Sequence, residues 1–224
     1  MHWTHRRLGL KVAPNHPMTD GAANPVWKMP FSDFILVLIL AAVALIFIQT
    51  VFSGTPPMST SARARTVLLD VIPPGSGGVI YELGSGWGGL ARSLARRDLS
   101  SSVVAFEVSL IPWAVSRLWL ALNPVPNLTI RLRNFYNRPL TDAAGVVCYL
   151  YPGTMKKLKS KLEAELPDSA WVISNTFAMP GWKPERRVRV EGVLSSSVYL
   201  YRMPAQVSDY EPPPSSGIYF GHNP

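Results

Sequence analysis

The sequence predicts an α/β fold in which a mostly parallel sheet is covered by helices on both faces. Two observations lead to this prediction. Short β-rich runs alternate with helical patterns along the middle of the chain, and strands connected by helices form parallel sheets. Near the end, "RVRVEGVLSSSVYLYRM", Arg187 to Met203, contains two β-rich runs with no room for a helix between them. These runs predict a terminal antiparallel hairpin at the edge of the sheet.

The elements of this domain, residues 54–206, follow from the pattern in chain order. A first helix is predicted over about 61–71, with Ser59 or Thr60 as its N-cap. The segments predicted after it are strand 79–83, helix 88–97, strand 103–107, helix 110–122, strand 128–132, strand 145–151, helix 153–166 and strand 170–177.

Residues 31–53 predict one transmembrane helix before the domain. The run from Phe31 to Phe52 reads "FSDFILVLILAAVALIFIQTVF", and Asp33 is its only charged residue. About 20 apolar residues in a helix cross a hydrocarbon core of roughly 30 Å. A buried core helix and a cleaved signal peptide are the alternatives, but the run is long and no small-residue cleavage site follows it. Residues 1–30 and the proline-rich residues 207–224 are predicted to be disordered tails.

The composition restricts the partners of the chain. Its formal net charge is +8, and a basic surface that faces anionic lipid explains this charge more simply than nucleic-acid binding does. The single cysteine, Cys148, lies in the apolar run "GVVCYL", which predicts a buried thiol and excludes a disulfide within the chain. All 4 histidines lie in the predicted tails, so no metal site is expected.

The stretch "VIYELGSGWGG", Val79 to Gly89, predicts a ligand-binding turn between a strand and a helix. Glycine lets a ligand approach the main chain closely, and bare N–H groups at a helix N-terminus suit a polar or anionic ligand. Gly84, Gly86 and Gly89 also match the dinucleotide spacing G-x-G-x-x-G. NAD is therefore an alternative ligand on this pattern alone.

Three features favour S-adenosylmethionine over NAD. Glu82 stands two residues before Gly84, where a carboxylate can meet a cationic amine but would repel a pyrophosphate. Glu107 ends the next predicted strand, where a carboxylate can accept hydrogen bonds from ribose hydroxyls. The terminal hairpin leaves no second domain for the substrate of a dehydrogenase.

The stretch "YELGSGWGG" resembles motif I of class I S-adenosylmethionine-dependent methyltransferases, and "VVAFEVSLIPWAVSR" resembles their acidic post-I strand and helix. Further along, "YPGTMKKLKSKL" and "NTFAMPGWKP" resemble the small membrane-anchored protein-lysine methyltransferases of the FAM173 type, as does the approach "TPPMSTSARAR". The resemblance covers about residues 55–184. It implies a Rossmann-like fold, S-adenosylmethionine as cofactor and a protein substrate, which in that family is a mitochondrial carrier or an ATP synthase subunit.

Two positions depart from the FAM173 pattern. Trp87 stands where an acidic residue is frequent, and Gly89 stands where arginine is frequent. These departures leave the main-chain contacts to the cofactor intact but change the residues around the entrance for the substrate.

The resemblance and the chemistry together predict the cofactor site. The cofactor-binding residues are expected to be Glu82, Gly84, Ser85, Gly86, Gly88, Glu107, Val108, Asn134 and Phe135. Glu82 would face the amino group of the cofactor, and Glu107 would bind its ribose. Val108 would cover the adenine face and Asn134 would contact the adenine amine. Phe135 would stack on the adenine or, equally, pack in the core.

The acceptor site is predicted at the end of the fourth strand. Tyr149, Tyr151 and Pro152 stand there, at the sheet edge over which acceptors approach in this fold. Tyr151 is the predicted catalytic residue, which would orient a neutral lysine amine, and packing against the next helix is its alternative role. Trp182 and Met179 would line the acceptor channel or cap the core.

The sequence therefore predicts a membrane-anchored methyltransferase that modifies a lysine of a protein, in particular a membrane protein. Its catalytic domain would lie on the cytoplasmic side of a bacterial inner membrane or in the mitochondrial matrix, where the cofactor is available. A protein substrate and the lipid bilayer are the expected partners, and nucleic acid and metal are not expected. A lipid or small amphiphile as acceptor, and a non-catalytic membrane-tethered module, are the alternatives.

Overall fold

Seven strands form one sheet in the computed structural model, which describes residues 30–53, 60–74, 77–191 and 196–207. In chain order the strands are β1 (Gly78–Leu83), β2 (Ser101–Glu107), β3 (Leu128–Leu132), β4 (Ala143–Cys148), β5 (Trp171–Asn175), β6 (Arg186–Val190) and β7 (Ser196–Arg202). The order across the sheet is β3-β2-β1-β4-β5-β7-β6. All pairings among the first five strands are parallel, and β7 is antiparallel to β5 and β6. The predicted parallel sheet with a terminal antiparallel hairpin is confirmed.

Five helices accompany these strands within the described residues. They are α1 (Phe31–Ser53), α2 (Ala62–Val71), α3 (Gly89–Arg97), α4 (Leu110–Leu122) and α5 (Pro152–Glu165). The N-cap of α2 is Ser61 and not Ser59 or Thr60, because the Ser61 hydroxyl accepts a hydrogen bond from the backbone N–H of Ala64 at 3.2 Å.

The fourth strand is shorter than predicted. It ends at Cys148 instead of residue 151, and Tyr151 is the N-cap of α5. Pro152 occupies the first position of that helix, where the fixed φ of proline favours helix initiation. Tyr149 and Tyr151 therefore lie in a short loop between β4 and α5, outside the strand.

Two apolar cores lie on the two faces of the sheet. Side chains alternate along β1, so Ile80 belongs to one core and Tyr81 to the other. Helices α2, α3 and α4 contribute to the first core, and α5 contributes to the second. Gly145 of β4 permits close packing in the neighbouring strand, because a Cβ at this position would lie 2.1 Å from the indole ring of Trp171.

The chain divides into two units, residues 1–40 and residues 41–224, and α1 begins in the first and ends in the second. α1 contains 23 residues, and its described side chains are largely apolar and exposed. Within the described residues, no helix combines the length and the apolar character that crossing a membrane requires. The predicted transmembrane span is thus not confirmed. The predicted tails lie outside the described residues, apart from Pro30 and Val207 at their borders.

Candidate active site

A pocket of about 290 Å³ lies at the carboxyl end of β1. It is lined by Thr60, Arg65, Glu82, Gly84, Ser85, Trp87, Gly89, Leu90, Arg92 and Tyr149. Strand β1 lies between β2 and β4, where the order of the parallel strands reverses direction. In open α/β sheets, ligands bind in the crevice beyond the carboxyl ends of the strands at this reversal.

The loop after β1 is held by hydrogen bonds of its own backbone. The N–H groups of Gly84 and Ser85 both donate to the carbonyl oxygen of Phe106, at 3.0 and 2.8 Å. The N–H of Gly86 donates to Glu107 Oε2 at 2.6 Å, and that of Gly88 donates to the carbonyl oxygen of Ser85 at 2.9 Å.

The prediction of bare N–H donors for a ligand is therefore wrong for these four residues. The backbone N–H groups of this tight turn already donate to acceptors within the protein. Glycine at Gly84 and Gly88 allows the turn itself, because their φ values are +84° and +70° and an added Cβ would lie 3.0 Å from Leu150 and from Ser116, respectively. Their assignment to the cofactor remains a prediction.

Glu107, the last residue of β2, connects this loop to the next one. Its Oε2 accepts from Gly86, and its Oε1 accepts from the backbone N–H groups of Val108 and Ser109 at 2.8 and 2.7 Å. A carboxylate oxygen has two lone pairs, so Oε2 retains one for a further donor. A ribose hydroxyl is a donor of this kind, which is compatible with the predicted role of Glu107.

The wall of the pocket contains buried polar atoms without partners. Among the described residues, four buried side-chain atoms lack a hydrogen-bond partner, and three of them belong to the pocket lining, Arg65 Nε, Glu82 Oε2 and Ser85 Oγ. Leaving such an atom unpaired costs about 1–3 kcal/mol. A ligand with both an anionic and a cationic group would satisfy these atoms.

The carboxyl group of Glu82 is buried, and burial raises its pKa well above the ordinary value of 4.5. The neighbouring carboxylate of Glu107 raises this pKa further, while the guanidinium groups of Arg92 and Arg65 act in the opposite direction. A cationic ligand group next to Glu82 would stabilise its charged form.

Arg65 and Arg92 are pocket residues that the sequence did not indicate. Arg92 is fixed, because its Nη1 donates to the carbonyl oxygen of Trp87 at 3.0 Å and its guanidinium lies 4.0 Å from the ring centroid of Trp119. Burial lowers the pKa of Arg92, and the neighbouring Arg65 lowers it further. Arg65 comes from α2, and its Nη2 lies 3.7 Å from the position that a Cβ on Gly89 would take.

One feature of the sequence could have pointed to Arg65: Gly89 stands where arginine is frequent in the FAM173 pattern. Glycine there leaves space beside the start of α3, and the "SARAR" segment supplies an arginine that occupies this side of the pocket. Arg65 and Gly89 come together only because α2 packs against α3.

Of the residues predicted at the acceptor site after β4, only Tyr149 lines the pocket. Its ring stacks with Phe177 at a centroid distance of 6.4 Å. Tyr151 is 49% exposed and does not contribute to the pocket lining, and Pro152 begins α5. The catalytic role of Tyr151 remains a prediction.

Trp182 and Met179 lie in the core below β5 and β7 rather than along the pocket. Both are fully buried, and the Trp182 Nε1–H donates to Glu163 Oε1 at 2.9 Å. The indole contacts Tyr201 edge-on. Their placement corresponds to the alternative of core packing, because the loop after β5 turns inward and covers the second core.

The residues predicted near the adenine lie at the ends of β2 and β3. Val108 is 48% exposed, and Phe135 is buried in the second core. The side chain of Asn134 accepts from the backbone N–H of Tyr136 at 3.0 Å, so it caps a short 3₁₀ turn, Phe135–Asn137. Their roles toward the cofactor remain predictions.

Cys148 is a buried free thiol, as predicted, and burial raises its pKa to about 12. A thiol with so high a pKa is a poor nucleophile at neutral pH. Within residues 30–53, 60–74, 77–191 and 196–207, no three His, Cys, Asp or Glu side chains lie together as a metal site would require.

Known proteins match parts of this chain. The model of the ANTKMT methyltransferase domain matches residues 82–186. A protein-lysine N-methyltransferase of Saccharolobus islandicus is 26% identical over 65% of this chain and 92% of its own length. The mouse adenine nucleotide translocase lysine N-methyltransferase is 31% identical over 65% of this chain but 62% of its own length.

A solved structure matches the fold and the ligand class. An RNA methyltransferase from Salinibacter ruber, in complex with S-adenosyl-L-homocysteine, superposes with a TM-score of 0.61 and 25% identity, over 68% of this chain and 98% of that one. The chain is a class I methyltransferase. Its cofactor is S-adenosylmethionine, and it resembles the FAM173-type enzymes, as the motifs predicted.

Proposed function

We propose that this methyltransferase transfers a methyl group from S-adenosylmethionine to the side-chain amine of a lysine in a protein. The family model and the curated relatives, which are named as lysine methyltransferases, support this acceptor. The structural observation that carries the cofactor part of the proposal is the pocket at β1, where the buried carboxyl group of Glu82 and the half-buried side chain of Arg65 each have a buried atom without a hydrogen-bond partner.

The pocket fits the methionine end of the cofactor. That end is a zwitterion, and Glu82 and Arg65 offer one group of each sign with buried atoms that need partners. We assign Glu82 to the ammonium group and Arg65 to the carboxylate, with Arg92 supporting the positive side of the pocket. Glu107 would hold the ribose through the remaining lone pair of its Oε2. When bound, the cofactor supplies an electrophilic methyl group on a sulfonium.

The acceptor would enter beside Tyr149. Its ring and that of Phe177 form an aromatic wall at the ends of β4 and β5, which suits the methylene stem of a lysine. The amine must be neutral to attack, although its ordinary pKa is about 10.4. Burial at this wall lowers the pKa of an amine. The Tyr149 hydroxyl can then orient the lone pair toward the methyl group.

We further propose that α1 attaches the enzyme to a membrane, with the catalytic domain on the side where S-adenosylmethionine is made. In support, α1 has 23 residues, and Asp33 is the only charged residue among them. Phe34, Leu38 and Leu40 are each more than half exposed. A helix with apolar side chains exposed to this extent gains free energy by entering lipid.

Labelling with the full chain tests the acceptor. Membranes and soluble extract are incubated with the enzyme and tritiated S-adenosylmethionine, and label is followed into protein, RNA and lipid fractions. We expect methyl-lysine in the protein hydrolysate, and none with Gly86→Arg, which fills the turn after β1. Label in RNA bases or in the lipid extract instead would contradict the lysine proposal while leaving the methyltransferase activity intact.

Carbonate extraction of cells that express the full chain tests the attachment. Retention in the membrane pellet is expected for the wild type. A double substitution in α1, Leu38→Asp with Val43→Asp, should release the enzyme into the soluble fraction with its cofactor binding unchanged. A wild-type enzyme that is itself soluble would contradict the membrane proposal.

A further inference from the structure

The outer surface of α4 is apolar along its whole length. Pro112, Ser116 and Leu120 face the core, and the opposite side exposes Leu110, Val115, Leu118 and Leu122. Leu118 and Leu122 are 63% and 73% exposed. At 100° per residue these side chains share one face with the exposed Ala114 and Ala121. An apolar face of this size on a soluble domain marks an interaction surface.

A basic groove borders this face. It has a volume of about 530 Å³ and lies between α4 and β3, the edge strand of the sheet. Arg117, Arg131 and Arg133 line it, and all three are exposed. Among the described residues none of these arginines forms an ion pair. From Val108 to Thr141 the sequence contains no aspartate or glutamate.

Helix α5, on the other face of the sheet, has a different outer surface. Two of its four lysines pair with glutamates within the helix, Lys159 with Glu163 at 3.8 Å and Lys161 with Glu165 at 2.7 Å. Its buried residues, Met155, Leu158 and Leu162, form a single apolar stripe toward the sheet. The apolar outer surface is therefore a property of α4 and is not shared by both helices.

We propose that the α4 face docks the catalytic domain onto the surface of an anionic phospholipid bilayer. The apolar side chains would enter the boundary between headgroups and acyl chains, and the three arginines would bind phosphate groups at the rim. Arginines near an anionic membrane surface are attracted to its negative potential, and an apolar helix face flanked by basic residues is typical of interfacial binding. Because these three arginines form no ion pair among the described residues, two copies of this surface would repel each other, so lipid fits better than a dimer.

This contact is independent of the attachment through α1. It rests on residues 110–133 alone and would hold whether or not α1 enters the membrane. Because α4 begins three residues after Glu107, docking would hold the carboxyl edge of the sheet near lysines at a membrane surface.

Spin labels on the full chain, reconstituted into vesicles, test the proposal. Single nitroxides are introduced by Leu118→Cys on α4, Val37→Cys on α1 and Ser160→Cys on α5; the native Cys148 is buried and stays unlabelled. Accessibility to oxygen, which enters lipid, is compared with accessibility to a water-soluble nickel chelate. The vesicles are phosphatidylcholine with or without about 30% phosphatidylglycerol, which supplies the anionic surface potential.

We expect the oxygen-to-nickel ratio at position 118 to rise several-fold in the anionic vesicles and to return to its aqueous value when Arg131→Gln and Arg133→Gln are added. The label at 160 should remain aqueous throughout. A lipid signal at 37 with an aqueous signal at 118 would overturn the docking proposal and leave the α1 anchor intact. Spin–spin broadening at 118 that depends on protein density would overturn it in favour of a dimer.

Discussion

Two loops meet at the pocket, one after β1 and one after β4, and they are held in different ways. In the loop after β1, the backbone N–H groups of Gly84, Ser85 and Gly86 are fixed by Phe106 and Glu107 of the neighbouring strand. The loop after β4 has no such network, and it reaches the pocket through a side chain, Tyr149. In the proposed arrangement, the loop on the cofactor side has a backbone fixed by the neighbouring strand, whereas the loop on the acceptor side contributes a side chain.

This difference has a chemical reason. All class I methyltransferases bind the same cofactor, so a fixed backbone cradle suits it. The acceptor differs from enzyme to enzyme, and side chains on a loop can change without disturbing the sheet. Substitutions in the first loop should therefore affect folding and cofactor binding, whereas those in the second should affect turnover alone.

The largest effect is expected for Gly88→Ala, at the start of α3. Its φ is +70°, and an added Cβ would lie 3.0 Å from Ser116 Cβ. A left-handed backbone costs a non-glycine residue about 1–2 kcal/mol, and overpacking adds about 1–3 kcal/mol. We expect the free energy of unfolding in urea to fall by about 2–5 kcal/mol and cofactor binding to be lost.

Gly77→Ala is the matched control for this substitution. Its φ is +50°, but no described heavy atom lies within 4 Å of an added Cβ. We expect only the backbone cost of about 1–2 kcal/mol and unchanged cofactor binding. If the two substitutions lowered the free energy of unfolding equally, close packing around Gly88 would not be the cause of its larger expected effect.

Arg65→Leu is expected to have a smaller effect, a loss of affinity that depends on whether the ligand carries a carboxylate. The wild type should bind S-adenosylmethionine about 10- to 100-fold more tightly than its decarboxylated analogue, because the carboxylate pairs with Arg65. Arg65→Leu should bind the two ligands alike, and Arg65→Lys should restore part of the difference. Titration calorimetry measures all three. If Arg65→Leu still preferred S-adenosylmethionine to the analogue by the wild-type factor, the carboxylate of the cofactor would bind a group other than Arg65.

The buried carboxyl of Glu82 makes stability depend on pH. Its pKa is raised in the folded protein by burial and then by Glu107, so the folded state holds this proton more tightly than the unfolded state. The resulting stabilisation is complete below 4.5, the ordinary value, and is lost as the pH rises through the folded-state pKa. The slope can reach about 1.4 kcal/mol per pH unit.

Urea unfolding of the unliganded enzyme from pH 4.5 upward measures this slope. Glu82→Gln should flatten it, since glutamine has the same shape and no proton to lose. Saturating S-adenosylmethionine should also reduce the decline in the wild type, because its ammonium group stabilises the charged carboxylate. A Glu82→Gln profile that coincides with the wild-type profile would rule out Glu82 as its source.

The smallest effects separate the two tyrosines after β4. Tyr149→Phe should lower kcat about five- to tenfold, which corresponds to the loss of one hydrogen bond, with KM for the cofactor unchanged. Tyr151→Phe should leave kcat nearly unchanged, because the side chain is 49% exposed and outside the pocket lining. A larger loss at Tyr151 would support its predicted catalytic role and reverse this assignment.

Local signals predicted most of the fold. The helix 110–122 and the strand 128–132 have the predicted bounds, and the terminal hairpin is antiparallel as expected. The fourth strand was predicted too long because "GVVCYLYPG" continues the apolar run past Cys148, where the chain already turns toward α5. Apolar residues in the sequence indicate which part of a strand is buried, but they do not mark the residue at which hydrogen bonding to the neighbouring strands ends.

The strand–turn–helix at β1 and the acidic residues near the ends of β1 and β2 could be predicted from the sequence, and with them the cofactor class. These features depend on neighbours within a few residues, so their pattern is visible in one dimension.

Three other features depend on how the chain packs in three dimensions. This packing brought Arg65 from α2 into the pocket, buried Trp182 in the core, and left the apolar face of α4 uncovered. Each of these depends on which distant segment packs against the residue, and the residue type does not specify that segment. An arginine, a tryptophan or a leucine has the same local preferences whether its partner is a helix, a cofactor or a membrane.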